Sequence, residues 1–213
     1  MKSINKSNIT AVILSGGQGL RMNQQDKGLI PFNDKPMIAH IIDVVKPKVS
    51  QLFVSANRNI EKYQRYGEVI TDGLNDFQGP LAGISKALSV TTTPYLLILP
   101  CDSPLVTASI IQRLIDAMSN NDIDLCVADD GSRMHPTIAI IKTQLKDNLL
   151  DFLESGDRKL GLWIQQNNSL KVDFSDCPEV LTNFNSPEDM TNDVVKRLLI
   201  AQNEKSEAFK FIK

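Results

Sequence analysis

The sequence predicts one α/β domain of three layers, α/β/α, with helices on both faces of a mostly parallel, doubly wound sheet. Three observations predict it. Short apolar runs alternate with segments of helical periodicity, the pattern of strand–helix–strand units. The chain has 213 residues, the length of one domain with a substantial core, and carries no internal repeat, linker or low-complexity stretch. Apolar residues make up 42% and charged residues 23%, the balance of an ordinary soluble globular protein.

The elements follow in order. Residues 1–8 are polar and are expected to be flexible. The domain is placed at 9–203, and 204–213 is a polar tail. Ile9 to Leu14 reads as a buried parallel strand. Pro36 precedes Met37, Ile38, Ile41, Ile42, Val44 and Val45 at helical spacing, with Pro47 as the stop. Gln51 to Ala56 is a second strand, Asn59 to Tyr66 a polar helix, and Glu68 to Thr71 a third strand. Pro80 is suited to the first turn of a helix after Gly79. Tyr95 to Leu99 is the best buried strand. Thr107 caps a helix whose apolar face is Ile110, Ile111, Leu114, Ile115 and Met118. Strands are expected at Asp124 to Ala128 and Thr137 to Ile141. Ser186-Pro187-Glu188-Asp189 opens a last helix, continued by Met190, Val194, Val195, Leu198 and Leu199. Right-handed crossovers bring the loops after the strands to one edge, where ligands bind in open α/β sheets.

Several function classes are excluded at this stage. The net charge is −2, whereas a nucleic-acid surface carries a basic excess. No segment has the form of a signal peptide or membrane span. Three widely spaced cysteines, Cys101, Cys126 and Cys177, give no CxxC motif or disulfide framework, and the simplest location is a reducing cytoplasm. His40 and His135 are too few for a His-rich metal site. His40 reads as packed rather than catalytic, and Cys101 as an inert buried thiol. No heptad or large apolar stripe marks an oligomer interface, and a monomer is expected.

The chemistry concentrates after the first strand. Ser15-Gly16-Gly17-Gln18-Gly19-Leu20-Arg21-Met22, with Lys27 behind it, is a loop that brings backbone N–H groups and two cations to a polyphosphate. It is no P-loop, because counting from Gly16 puts Arg21, and from Gly17 Met22, where the second glycine belongs. It is no dinucleotide fingerprint, because Met22 stands where the third glycine is required. Arg21 and Lys27 suit phosphate oxygens, Arg21 bidentately and Lys27 as a compact charge. Asp102, between Pro100 and Pro104 at a strand end, suits a hard cation such as Mg²⁺. Ser55 and Asn57 follow the second strand and Asp72 the third. Gly79 and Gly83 either admit a base or ribose or only tighten a helix entry. His135-Pro136 and Gly156-Asp157-Arg158 either line a second anion site or punctuate loops. Asn183-Phe184-Asn185 either hydrogen-bonds a heterocycle or forms a polar turn.

Together these segments resemble the molybdenum cofactor guanylyltransferases, the MobA family, within the nucleotidyltransferase superfamily. The matched pieces are LSGGQGLRM, DKGL, SANR, the Asp72-Gly73 pair, GPLAGI, PCDSP, HPTIA, GDRKL and NFNSPED, in family order from about Ile9 to Met190. The resemblance implies a Rossmann-like nucleotidyltransferase sheet. It also implies transfer of GMP from GTP to the terminal phosphate of molybdopterin, with release of pyrophosphate. GTP would bind through Leu14, Ser15, Gly16, Gly17, Lys27, Asp72 and Asp102, with Ser55, Asn57 and Gly79 beside them. Mg²⁺ would sit on Asp102. Arg21, Lys27 and Asp102 would be catalytic, and His135, Arg158, Asn183 and Asn185 would meet molybdopterin. Further partners would be molybdenum-insertion proteins and molybdoenzyme chaperones. The first loop usually reads LAGG, and here Ser15 replaces Ala. Some members carry Asn where Ser55 stands, which shifts the side-chain contact to Asn57 or to backbone. The alternatives are a molybdopterin cytidylyltransferase, a sugar-phosphate nucleotidyltransferase, or a non-catalytic GTP-binding adaptor.

Overall fold

In the computed structural model, strand β1 (Ile9–Leu14) lies at the centre of the sheet, and its alternating side chains divide the core in two. The structure describes residues 3–16, 26–72 and 79–191. Gly17 and Arg21, the helical positions from Val194 to Leu199 and the 204–213 tail lie outside them. Residues 6–8 form a 3₁₀ turn capped by Asn5, and Ile4 packs into the core, so this part of the expected flexible N-terminus is anchored.

After β1 come β2 (Pro31–Phe32), β3 (Lys35–Pro36) and helix α1 (Met37–Val45). Asn33 and Asp34 both take positive φ, which closes the β2–β3 hairpin tightly. Next are β4 (Gln51–Ser55), α2 (Ile60–Tyr63), β5 (Glu68–Ile70), α3 (Pro80–Val90), β6 (Tyr95–Pro100) and α4 (Ala108–Asn120). The chain then forms β7 (Leu125–Asp129), β8 (Met134–Lys142), α5 (Lys146–Glu154), α6 (Leu160–Gln165) and β9 (Ser169–Asp173). Helix α2 is shorter than the sequence suggested, since Tyr63 is its only buried residue and little packing sustains another turn.

The seven-stranded sheet runs β5-β4-β1-β6-β8-β7-β9. Only β8 is antiparallel to its neighbours, pairing with β6 and β7. Ile9, Ala11, Ile13, Leu97 and Leu99 pack with α1 and α4 on one face. Val12, Leu96 and Ile98 pack with α3, α5 and α6 on the other. This strand alternation produces the three layers. Trp163 is fully buried, and its indole N–H donates to Asn148 Oδ1 at 2.8 Å.

Two features shape the ligand edge. From β1 the chain builds outward through β4 to β5, then returns through α3 to β6 on the other side of β1. That reversal opens a crevice at the carboxyl ends of β1 and β6. In addition, β8 changes register. Val127 faces Ala139 but Ala128 faces His135, so Pro136, Thr137 and Ile138 bulge from the ladder. Among the described residues no helix is long and apolar enough to cross a membrane.

Candidate active site

The site begins where the ladder of β1 ends. Leu14 O accepts from Cys101 N at 3.0 Å, and Ser15 N donates to Ser55 O at 2.8 Å. These polar groups of Leu14 and Ser15 are therefore spent within the sheet. The Ser15 side chain is buried, leaving Gly16 as the first residue beyond the ladder, with no described residue within 4 Å of where a Cβ would stand. Cys101 is buried, and burial pushes its thiol up to about 12.

Asp102 follows β6 and is the hub. Its Oδ2 meets Lys27 Nζ at 3.1 Å, and its Oδ1 accepts from Asn183 Nδ2 at 3.2 Å. Lys27 Nζ also donates to Asn185 Oδ1 at 2.6 Å. The Asp102 side chain is 13% exposed and that of Lys27 26%, so the pair is shielded yet reachable. Phe184, between the two asparagines, is fully buried edge-on to Phe32, with ring centroids 5.0 Å apart. Its N–H donates to Asp102 O at 2.7 Å. This inward anchor turns its two neighbours toward the Asp102–Lys27 pair.

Three supports were not singled out from the sequence as site residues. Ser103, fully buried, donates to Asn183 Oδ1 at 3.2 Å, which orients the amide so that its nitrogen faces Asp102. Asp189 Oδ2 accepts from Asn185 N at 2.7 Å and Ser186 N at 2.9 Å, within a capping box. Asp26, buried, receives Arg58 Nη2 at 2.8 Å and Asn59 Nδ2 at 2.5 Å. It ties the loop after β4 to the base of Lys27. The spacing Ser186-x-x-Asp189 and the Asp-Lys pair at 26–27 were the available signals.

At the other end of the crevice Asn57 and Asp72 form a reciprocal pair. Asn57 Nδ2 donates to Asp72 Oδ1 at 2.8 Å, and Asp72 N donates to Asn57 Oδ1 at 3.3 Å. Ser55 is buried against α3, and a Cβ on Gly83 would stand 2.5 Å from its Oγ. Gly83 therefore serves close helix–strand packing, and Asn57 is the side chain offered at the end of β4. Gly79 has φ 68, a conformation that suits glycine at the mouth of α3, and among the described residues nothing stands within 4 Å of its Cβ position. Gly83→Ala is expected to cost about 1–3 kcal/mol in urea unfolding, with partial recovery in the Gly83→Ala/Ser55→Ala double variant.

The four residues expected on the acceptor side separate. Asn183 and Asn185 join Asp102 and Lys27. His135 is 6% exposed, and its Nε2 lies 2.6 Å from Asp130 Oδ2. Asp130 also accepts from Ser132 and Arg133, and the Ser132 and His135 hydrogen bonds hold its carboxyl far below the usual range. His135 thus braces the β7–β8 turn. Arg158 donates to the carbonyls of Leu153 and Asp157 at 2.6 and 2.7 Å. It lines a cleft between α3 and α5 that Asp72 also lines, a cleft without Asn183 or Asn185.

Among the described residues no group of three or more His, Cys, Asp or Glu side chains encloses a metal. Mg²⁺ does not require one, because one or two carboxylates and substrate phosphates commonly hold it. Asp102 fits that role: its carboxylate stands at a strand end and already carries a cation, Lys27.

Comparison with known proteins agrees with this geometry. Residues 11–170 match the MobA-like NTP transferase domain. The molybdenum cofactor guanylyltransferase of Shewanella sediminis is 41% identical over 181 residues, covering 84% of this chain and 92% of the relative. That of Shewanella baltica strain OS155 is 40% identical over 183 residues, covering 85% and 93%. In fold, the chain is similar to molybdopterin-guanine dinucleotide biosynthesis protein A of Archaeoglobus fulgidus, with a TM-score of 0.72, 20% identity, and 92% and 99% of the two chains covered. A nucleotidyl transferase of Methanothermobacter gives a TM-score of 0.71 at 19% identity, covering 91% and 98%. The matched domain runs from β1 to the start of β9, and the two relatives are covered over 92% and 93% of their own length. The chain therefore belongs to the MobA-like NTP transferase family and, within it, to the molybdenum cofactor guanylyltransferases.

Proposed function

We propose that this protein transfers GMP from GTP to the terminal phosphate of molybdopterin, releasing pyrophosphate, in the cytoplasm. The observation that carries the reading is the position of Lys27, whose ammonium joins Asp102 of the nucleotide half to Asn185 of the last loop. One cation thus stands where two phosphate groups must meet.

The reaction forms a bond between a molybdopterin phosphate oxygen and the α-phosphorus of GTP and breaks the α–β phosphoanhydride. The nucleophile is already an anion, so no general base is required, in keeping with His135 serving the β7–β8 turn. The obstacle is repulsion between phosphates, and the protein's task is positioning and charge stabilisation. Gly16 lets the triphosphate approach the end of β1. Lys27 neutralises phosphoryl oxygens, with Asp26 fixing the turn from which it projects. Asn183 and Asn185, anchored by Phe184, present amides to the incoming phosphate side. Mg²⁺, when bound with the nucleotide, would be held by Asp102 and supplies further neutralisation of phosphoryl charge.

The test is incubation with Mg²⁺, each NTP in turn and molybdopterin-loaded carrier, with the product weighed by mass spectrometry. The expected product is molybdopterin heavier by one GMP unit, formed only with GTP and matched by equimolar pyrophosphate. A CMP adduct would make the protein a cytidylyltransferase. GTP binding without pyrophosphate would make it an adaptor.

A further inference from the structure

Three segments of the active site close on one buried tyrosine. Tyr63 is the only buried residue of α2 and has no exposed surface. Its hydroxyl stands behind the turn that carries Lys27. A Cβ built on Gly28 would lie 3.0 Å from Tyr63 Oη, 3.1 Å from Cys101 Cβ and 3.2 Å from Cys101 Sγ. Ser15 closes the group from a third side. Burial raises the Tyr63 phenol and the Cys101 thiol above their ordinary values, and the Ser15 hydroxyl is near enough to oppose both rises. In sequence Ser15 precedes Gly16, Gly28 follows Lys27 and Cys101 precedes Asp102. Each neighbour of the tyrosine hydroxyl is therefore one residue away from a group the transfer uses.

The hydroxyl is costly where it stands. Tyr63 Oη and Ser15 Oγ are buried, and among the described residues neither has a hydrogen-bond partner. An unpaired buried hydroxyl weakens a fold, and a phenylalanine ring would fill the same site without it. The oxygen earns its place by volume instead, between the Lys27 turn and the end of β6. Its approach is set by α2. Asn59 is at the N-cap of that helix with φ 48, a left-handed conformation that asparagine tolerates. Asn59 O accepts from Tyr63 N at 3.1 Å, and Asn59 Nδ2 donates to Asp26 Oδ2 at 2.5 Å. Four residues apart, Asn59 and Tyr63 share one helix face. One meets Asp26 and the other Gly28, so α2 grips the chain on both sides of Lys27.

We propose that Tyr63 is a positioning residue for the transfer, its hydroxyl a spacer that sets the distance between Lys27 and Asp102. The proposal rests on the transfer reading above and adds to it a residue that touches neither substrate. Close-packed interiors pass small displacements on rather than absorbing them. Without the oxygen, Gly28 and Cys101 settle toward the gap, and the 3.1 Å spacing of Lys27 Nζ and Asp102 Oδ2 shifts with them. A reaction that works by positioning is sensitive to such a shift. The fold is not, because what it loses is an unpaired polar atom.

The test is steady-state pyrophosphate release, beside thermal melts, for the wild type, Tyr63→Phe, Gly28→Ala and the double variant. Tyr63→Phe is expected to lower kcat about tenfold, to leave the KM for GTP within about twofold, and to melt at or above the wild-type temperature. Gly28→Ala alone presses its methyl on the tyrosine oxygen and lowers kcat as well. In the double variant the methyl takes the space the oxygen leaves, and kcat returns to within about threefold of the wild type. Wild-type turnover in Tyr63→Phe, or a loss that Gly28→Ala does not repair, overturns the spacer and leaves the transfer reading standing. So does a loss confined to the KM for GTP, or a lowered melting temperature in Tyr63→Phe, which would make the hydroxyl a structural group. A wild type that releases no pyrophosphate overturns both readings.

Discussion

Asp102→Ala is expected to lower Mg²⁺-dependent pyrophosphate release at least about 10³-fold, roughly 4 kcal/mol of transition-state stabilisation, while the protein stays folded. The two halves of the expectation have different sources. Activity falls because Asp102 is the carboxylate at the head of the crevice, and its removal takes away both the carboxylate proposed to hold Mg²⁺ and the partner of Lys27. The fold survives because the structural link at this position is made by backbone: Phe184 N donates to Asp102 O, and alanine keeps that carbonyl. Lys27 retains Asn185 Oδ1 and, being 26% exposed, regains water. The stability cost is expected to be about 1 kcal/mol, a fall of roughly 2–4 °C in melting temperature for a chain of this size. Initial rates of pyrophosphate release across a Mg²⁺ titration, beside a thermal melt, check both. Turnover near the wild-type level would remove Asp102 from the chemistry. A collapse in melting temperature would make it structural instead.

Most of the sheet was legible because its signals are local. The β1 and β6 runs are apolar apart from Thr10, whose hydroxyl pairs with that of Thr93, as suits strands buried on both faces. Thr107 caps α4 through its side chain, and Pro80 stands at the first position of α3. Four elements escaped. The β2–β3 hairpin turns on Asn33 and Asp34 rather than on the glycines that usually mark such turns. Helix α5 buries only Leu149 and Phe152, and α6 is six residues long, so their apolar periodicity is thin. Strand β9 lies at the sheet edge and alternates without one fully buried residue. In the site, strand-end placement brought Lys27, Asp102, Asn57 and Asp72 to one edge, as expected. The pairings across it could not be read, because they join residues far apart in sequence: Lys27 with Asn185, Ser103 with Asn183, Asp26 with Asn59. His135 illustrates the same limit. Its buried contact with Asp130 depends on the β8 bulge, and no short motif announces a register change.

Lys27→Met is expected to move two measurements in opposite directions. Turnover should fall about 10²–10³-fold, the cost of removing one preorganised donor from developing phosphoryl charge. Binding of Mn²⁺ to the nucleotide-free protein, followed by electron paramagnetic resonance, should strengthen. The reason is that Lys27 Nζ lies 3.1 Å from Asp102 Oδ2, so in the unliganded protein the ammonium and a divalent cation compete for one carboxylate. Methionine keeps the length and apolar stem of lysine without the charge. Lys27→Arg should recover little turnover, since the planar guanidinium cannot replace a compact ammonium that bridges Asp102 Oδ2 and Asn185 Oδ1. Asn185→Ala leaves the charge in place and removes one of its two anchors, so a severalfold loss of turnover with unchanged Mn²⁺ binding is expected. If Lys27→Met lost turnover without gaining Mn²⁺ affinity, Lys27 would not be resting on Asp102 in solution. The cation that joins the two halves of the crevice would then have to be sought elsewhere.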